Sequence, residues 1–405
     1  MVTRITNTML QNTLLSNLSM NLNRMDKLQN QMSSGRKYGH ISDDPSALIY
    51  GQAARNKLAR LGHYQSTVES AQSWLTQAEA GIMELNKVVG AIYEELVSAG
   101  SVKTDSDKQN LAMVVKQLQD HYVDTLNTSY GDRFVFGGYN TPGDWAKDKA
   151  PLVKPFTIVN EPHPDGPAGR MVPQLLYNGF NISQFNNMPA QIFNIDFNNS
   201  DDPVAALTDA LAAMNYGGTG DIDDFVADFG FDDADEAIAA LQMKQFLLGD
   251  LIKFDVGPGI DMPVTQNGVD VVFFISKDAD GNPVMRNTFD LLQEVYIAIN
   301  GDPFDPITYP PKGTDELTKL ISEVQGAQNH LLTRTAEIGG RQRRLELLEA
   351  RYAQDNLNYE KMRSDAEDAD MAEVIMYLKM AETVYQAALS AGARVIQPTL
   401  MDFLR

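Results

Sequence analysis

The residues able to do acid–base or metal chemistry are present but scattered. The five histidines, His40, His63, His121, His163 and His330, form no H-E-x-x-H or H-x3–5-H pair. The spacing that brings two imidazoles onto one metal is missing, so no inserted metalloprotease is expected. No Gly-x-Ser-x-Gly elbow, P-loop or strand-linked Gly-x-Gly-x-x-Gly is found. A Ser/His/Asp triad is assembled in space, and nothing in the sequence favours one. Asp278-Ala-Asp280-Gly281-Asn282 sets oxygen ligands at alternate positions, which can converge on a hard cation. Its glycine is misplaced for an EF-hand loop, and Phe289 stands where the closing Glu belongs. The segment is expected to be a hairpin turn, with Asp278, Asp280 and Asn282 a weak Ca²⁺ candidate. Gly257-Pro-Gly259 reads as a turn. Asp232, Asp233, Asp235 and Glu236 read as a helix start, where anions suit the dipole. Trp74, beside Leu75, and the 18 methionines read as packing, and Trp145 lies in a polar loop. No catalytic residue and no cofactor is expected; the chain reads as a non-enzyme.

The elements around these residues carry the stronger signal. Leu15, Leu18, Leu22, Met25 and Met32 alternate by three and four, with Gln29 in the one polar slot, as in a coiled-coil seam. Gly35 ends that helix. Asp43-Asp44-Pro45 starts the next, since Asp caps free N–H groups and Pro is tolerated at the first helical position. Val68, Ala71, Leu75, Ala78, Ile82, Leu85, Val89, Ile92 and Leu96 keep the same alternation up to Gly100. A third helix is capped within 104–107 and shows Leu111, Val115, Leu118 and Tyr122. Helical period returns at Leu317, Leu320, Val324, Ala327 and Leu331, extended by Ile338, Leu345, Leu348 and Tyr352. A last stripe runs Met371, Val374, Leu378, Ala381, Tyr385, Ala388 and Gly392, before Pro398 and the tail Leu400, Met401, Phe403 and Leu404.

Between these ends the pattern breaks. Arg133 to Gly138 reads as a strand and turn, Val269 to Ser276 as a strand, and Asp280-Gly281 as the turn into Pro283-Val284-Met285. Helices are expected at 203–214, 234–248 and 288–299. Residues 201–310 hold 21 Asp/Glu against 4 Lys/Arg, so this segment must face solvent.

The 405 residues carry a net charge of −21, with 43% apolar residues and no cysteine. That composition excludes wholesale disorder, disulfides and a thiolate site, and argues against nucleic-acid or anionic-membrane partners. No apolar run reaches about 18 residues, and the N-terminus lacks the apolar core of a signal peptide. Over residues 1–34 the only charges are Arg4, Arg24, Asp26 and Lys27. A helix lying alone in water carries more charge, so this one is either an ordinary bundle helix or contacts other chains on several sides.

The run Gln31-Met-Ser-Ser-Gly-Arg-Lys-Tyr-Gly-His-Ile-Ser-Asp-Asp-Pro45 resembles the flagellin-superfamily signature of a helix end, fixed loop and capped helix start. Asp365-Ala-Glu-Asp-Ala-Asp-Met-Ala-Glu373 is similar to the acidic lead-in to the last flagellin helix. Gly131-Asp-Arg-Phe-Val-Phe-Gly-Gly-Tyr-Asn-Thr141, Arg334 to Leu345 and Val395 to Leu404 look more like the hook–filament junction family (hook-associated protein 3) than filament flagellin. The resemblance covers residues 1–141 and 313–405. It implies a mainly α fold: a flagellin-like antiparallel helical bundle and coiled coil built from both ends, with an inserted outward-facing α+β domain. The implied divisions are an N-terminal assembly helix at 1–35, bundle segments at 36–141 and 313–364, an acidic insert at 142–312, and a C-terminal assembly helix and tail at 365–405.

The same resemblance implies a secreted structural subunit at the hook–filament junction, exported by the flagellar type III channel without a cleaved signal peptide. Its implied partners are other copies of itself in a ring, the adjacent hook-associated junction protein, flagellin, and an export chaperone on the C-terminal helix. No nucleic acid or membrane is implied. The expected assembly interface is Leu15, Leu18, Leu22, Met25, Met32, Met371, Val374, Leu378, Ala381, Tyr385, Ala388, Leu400 and Phe403. The expected bundle core is Val68, Leu75, Ile82, Leu85, Val89, Ile92 and Leu96, and the signature loop and cap are Gly35, Arg36, Asp43, Asp44 and Pro45. Filament flagellin, and a surface adhesin with the insert as binding element, are the alternative readings.

Overall fold

The computed structural model describes residues 7–40, 42–101, 104–131, 133–138, 154–162, 171–195, 197, 202–214, 216–218, 220–229, 231, 233–249, 251–278, 281–301 and 313–395. Contacts divide the chain into two units, residues 1–65 with 349–405 and residues 66–348. Among the described residues, no helix is long and apolar enough to cross a membrane.

Unit 1 holds α1 (Asn7–Ser34), the start of α2 (Pro45–Ala99), the end of α9 (Thr314–Glu367) and α10 (Met371–Val395). Here α2 and α9 run antiparallel. The Tyr64 and Tyr352 rings stack at 6.1 Å, and the Lys57 ammonium lies 5.0 Å from the Tyr359 ring centroid. Helices α1 and α10 are also antiparallel: Leu28 clusters with Val374, and Leu14 with Gly392.

Unit 2 holds the rest of α2 and α9, α3 (Asp105–Leu126) and the inserted module. The heptad stripe explains its core. Val68, Ala71, Leu75, Ala78, Ile82, Leu85, Val89, Ile92 and Leu96 are all fully enclosed. Leu317, Leu320, Val324, Ala327, Leu331, Ile338 and Leu345 of α9 are also buried. Gln342 donates to Glu79 at 2.9 Å, and Gln325 to the Tyr93 hydroxyl at 3.1 Å, which fixes the antiparallel offset within this unit. Thr104 caps α3 by accepting the Asp107 N–H, as the spacing predicts.

The module is made of small antiparallel sheets. The hairpin β1 (Ser129–Tyr130) and β2 (Arg133–Phe134) precedes β3 (Phe156–Pro162), β4 (Met171–Tyr177) and β5 (Phe180–Asn181), ordered β3-β4-β5. Next come α4 (Pro203–Met214), α5 (Ile222–Asp228) and α6 (Ala234–Gly249), then β6 (Lys253–Gly257) paired with β7 (Ile260–Pro263). Helix α7 (Gly268–Val272) leads into β8 (Phe273–Lys277), which pairs with β9 (Pro283–Asn287); α8 (Thr288–Asn300) follows.

The expected strand over Val269 to Ser276 is half helix. Asn267 accepts the Val269 N–H at 2.9 Å and caps a helical turn that buries Val269, Val271 and Val272. Gly268 makes this possible, because a Cβ there would lie 2.4 Å from the Phe156 ring and 2.5 Å from the Phe136 carbonyl. The run is apolar but for Asp270 and Ser276 and shows no sustained period, so the sequence could not separate the two forms.

Candidate assembly site on unit 1

The terminal pair is built from a narrow inner seam. Leu28, Val374 and Ala381 are buried, with Met25, Ala369, Tyr377 and Leu378 packed around them. Near the other end, Leu14 fills the space left by Gly392, where a Cβ would lie 2.7 Å from Leu14 Cδ2. The Arg24 guanidinium sits 5.9 Å from the Tyr377 ring centroid, a cation–π contact at the seam's edge.

The expected interface residues fall on two faces. Leu18, Met25, Leu378, Tyr385 and Ala388 are half-buried in the seam, beside buried Val374 and Ala381. Leu15 (61% exposed), Leu22 (44%), Met32 and Met371 point outward, and Gln29 is exposed as well. The inner seam of α1 is therefore Leu14, Leu18, Met25 and Leu28, not the full set read from the alternation. Leu14 and Leu28 each stand one position from an expected seam site, so their apolar side chains were the signal. Leu400 and Phe403 lie outside the described residues.

Other apolar side chains of the pair are exposed. Met9, Leu15, Met20 and Leu22 on α1 are exposed, as are Ile375, Met376, Met380, Val384 and Leu389 on α10. Among α1's side chains only Arg24, Asp26 and Lys27 carry charge. Leu15, Leu22, Ile375 and Leu389 flank the seam, while Met9, Met20, Met376 and Met380 fall on the far sides of their helices by the helical step.

The signature loop ties the four helix ends together. Gly35 takes φ +69°, a left-handed conformation that suits glycine, and its N–H donates to the Gln31 carbonyl. Asp44 caps α2 by accepting the Ala47 N–H at 2.9 Å, with Pro45 as the first helical residue. Asp43 accepts Lys27 Nζ at 3.0 Å and the backbone N–H groups of Gly39 and His40. Those bonds, led by Lys27, hold its carboxyl down to about 2.

Across the unit, Arg36 bridges Asp368 in antiparallel fashion. Lys37 N–H donates to the Glu367 carbonyl at 2.7 Å, and Ala369 N–H to the Gly35 carbonyl at 2.9 Å. The Glu367 carboxylate, 6% exposed, accepts from Arg55 Nη2. It occupies the notch at Gly51, where a Cβ would lie 2.6 Å from Glu367 Oε1 and 2.8 Å from the Tyr38 hydroxyl. Sequence reading missed Gly51, Arg55 and Glu367, since nothing in local spacing links a residue at 55 to one at 367. Asp370 then caps α10 through the Ala372 and Glu373 N–H groups.

Of the metal candidates, Asp278 and Asn282 meet in a turn. Asp278 accepts the Asn282 N–H at 2.8 Å and its Nδ2 at 3.2 Å, closing the β8–β9 turn with Gly281 at φ +88°. Asp280 lies outside the described residues. No group of three His, Asp or Glu suited to a metal occurs among the described residues. Trp74 is buried against the Tyr130 ring, edge to face at 6.1 Å, while Trp145 lies outside the described residues. Asp233, with its oxygen on the Glu236 N–H at 2.8 Å, does start α6.

The chain is similar to several proteins named as flagellar components. Residues 5–141 match the family described as the bacterial flagellin N-terminal helical region. Flagellar hook-associated protein 3 of Salmonella typhimurium is 26% identical over 117 residues, covering 28% of this chain and 37% of that protein. The flagellar filament 30.7 kDa core protein of Treponema maltophilum is 28% identical over 120 residues, covering 27% of this chain and 42% of that protein. A flagellin of Clostridium tyrobutyricum is 24% identical over 126 residues, covering 31% and 33% respectively. The chain thus spans 33–42% of the length of these relatives. Among solved structures, a putative flagellar hook-associated protein of Vibrio parahaemolyticus is 13% identical. It covers 80% of this chain and 100% of that one, at a TM-score of 0.48.

Proposed function

We propose, taking as premise the flagellin N-terminal helical region matched by residues 5–141, that the chain is a non-catalytic structural subunit of the bacterial flagellum, seated where hook meets filament. The observation that carries this reading is the set of exposed apolar side chains on α1 and α10. A two-helix pair with a thin seam and exposed apolar side chains gains most of its stability from neighbours. Copies of the chain pack through Leu15, Leu22, Met32, Met371 and the outer α10 residues, form a ring beside the adjacent hook-associated protein, and offer a surface on which flagellin polymerises. Leu18, Met25, Val374, Leu378, Ala381, Tyr385 and Ala388 hold the pair together from inside. The divisions at 1–35, 36–141, 142–312, 313–364 and 365–405 follow this division of labour. The subunit reaches its place through the flagellar type III channel, with a chaperone covering the C-terminal helix on the way. The match to hook-associated protein 3 supports the junction role.

The matches to a filament core protein and a flagellin support a second reading, the filament subunit itself. Deletion of the gene separates the two. Hooks without filaments and unpolymerised flagellin in the medium identify the junction subunit. Hooks without filaments and no flagellin in the medium identify the filament subunit. Normal filaments overturn both. A chain carrying Leu378→Asp should be secreted yet support no filaments, and filaments built with it would refute the terminal-helix mechanism.

A further inference from the structure

Helix α1 carries two overlapping apolar stripes that share Leu18 and Met25. One is Leu14, Leu18, Met25 and Leu28; the other is Leu15, Leu18, Leu22, Met25 and Met32. Either could face α10, because the two stripes are centred about 40° apart at 100° per residue, so a small rotation of α1 exchanges them. The α10 side of the seam is small and repetitive, with Ala381, Ala388 and Gly392, so a slip by one heptad still sets apolar against apolar. Apolar packing is non-directional and does not choose among these arrangements. Something polar must.

The structure places such an element at one end of the pair. Glu367 is 5% exposed, one of the few buried charged residues among those described. It reaches Arg55 through the notch at Gly51, and its own carbonyl accepts Lys37 N–H from the signature loop at 2.7 Å. The Lys37-to-Glu367 and Ala369-to-Gly35 backbone hydrogen bonds together form a β-bridge between Arg36 and Asp368. From Gly35 to the end of α1 is one residue, and from Glu367 to the start of α10 is four. The two helices therefore leave the same hydrogen-bonded point.

We infer that Glu367, held by Arg55 in the gap left by Gly51, is a positioning residue that sets the register of α10 against α1. This inference rests on the assembly reading for its purpose, because register decides which stripe is offered to neighbours. With the lock in place, Leu14 meets Gly392, and Leu15 and Leu22 stay outside. Glu367 is buried while the Arg55 side chain is 41% exposed, and a buried polar group commonly costs stability and yields uniqueness, as a buried Asn does in a coiled coil. Removing it should leave helix content and blur the register.

The absence of cysteine makes the test direct. Two double variants of the full chain are compared under mild oxidation: Leu14→Cys with Gly392→Cys for the native register, and Leu14→Cys with Tyr385→Cys for a one-heptad slip. The intact lock should favour the native disulfide. Adding Glu367→Ala, or separately Gly51→Ala, should cut that preference about tenfold with circular dichroism unchanged, since a net bias of roughly one paired charge is lost. Glu367→Gln, which keeps an acceptor for Arg55, should retain more of the preference than Glu367→Ala. An unchanged preference in both lock variants overturns the inference, as does a chain with the lock intact that forms both disulfides equally. Crosslinking is read on the secreted or purified chain, so it stands apart from the assembly reading. A register that depends on Glu367, in a chain whose deletion leaves filaments normal, would sustain the lock and refute the junction role.

Discussion

The two units solve opposite problems with the same helical period. Unit 1 carries 14 Lys/Arg and 13 Asp/Glu, close to neutral; unit 2 carries 19 and 41. In unit 2 the α2 stripe is wholly enclosed by the chain's own residues, with Val68, Leu75, Ile82, Leu85, Val89, Ile92 and Leu96 all at 0% exposure. In unit 1, among the described residues, Leu28, Val374 and Ala381 form a buried cluster between α1 and α10, while other apolar side chains of the two helices stay exposed. A self-sufficient core can tolerate a surplus of like charge on its surface, and that charge keeps it solvated. A surface meant to be covered by neighbours cannot tolerate it, because each added charge would be desolvated or repelled. The contrast between the units is one of charge balance and not of charge density, since charged residues make up about a fifth of each.

The comparison can be broken at several points. The largest effect is expected in unit 2, where Ile82→Asp or Leu85→Asp buries an unpaired charge in a filled core. Either should abolish folding of that unit, a loss above about 4 kcal/mol seen as collapse of the cooperative thermal transition. A folded Ile82→Asp protein would show that the stripe is not a core.

Next comes Asp290. Burial first, with Glu294 adding to it, pushes its carboxyl up to about 7, while Ser183 donates to Oδ1 at 2.8 Å. A raised carboxyl favours folding only while protonated. Its contribution is full below about pH 4 and is lost as pH rises through about 7. Asp290→Asn should therefore raise stability at pH 8 by on the order of 2 kcal/mol and leave it unchanged at pH 4. Chemical denaturation at the two pH values checks this, and an equal gain at both would refute the buried-charge cause.

Thr104→Ala, which removes the α3 cap, should cost about 1 kcal/mol in the same assay. Lys87→Ala, at an exposed i,i+3 pair with Glu84, should cost less than about 0.5 kcal/mol. If that surface pair mattered as much as the cap, the picture of unit 2 as core-dominated would need revision.

Much of this was legible in the sequence, and the reasons differ by place. Helices α2, α4 and α10 start at Pro45, Pro203 and Met371, where caps, proline and period agree. The β8–β9 hairpin was readable because Gly281 must take a left-handed turn. The α7 turn was not, since Val269 to Val272 show no period and its cause, the Gly268 notch under Phe156, is a long-range contact. The α1 seam was half legible. Its two stripes are a true ambiguity of the sequence, resolved by contacts with residues more than 300 positions away. The Glu367–Arg55 pair belongs to the same class, because an ion pair between distant segments leaves no local trace.

The exposed apolar side chains of α1 and α10 are proposed above as the assembly surface. Leu15→Asp combined with Leu22→Asp tests it most directly, because both side chains already face outward and their replacement should leave the thermal transition within about 0.5 kcal/mol of the parent. Expressed in cells lacking the native gene, the folded and secreted double variant should give hooks without filaments, with unpolymerised flagellin in the medium. Normal filaments built with that variant would contradict the claim.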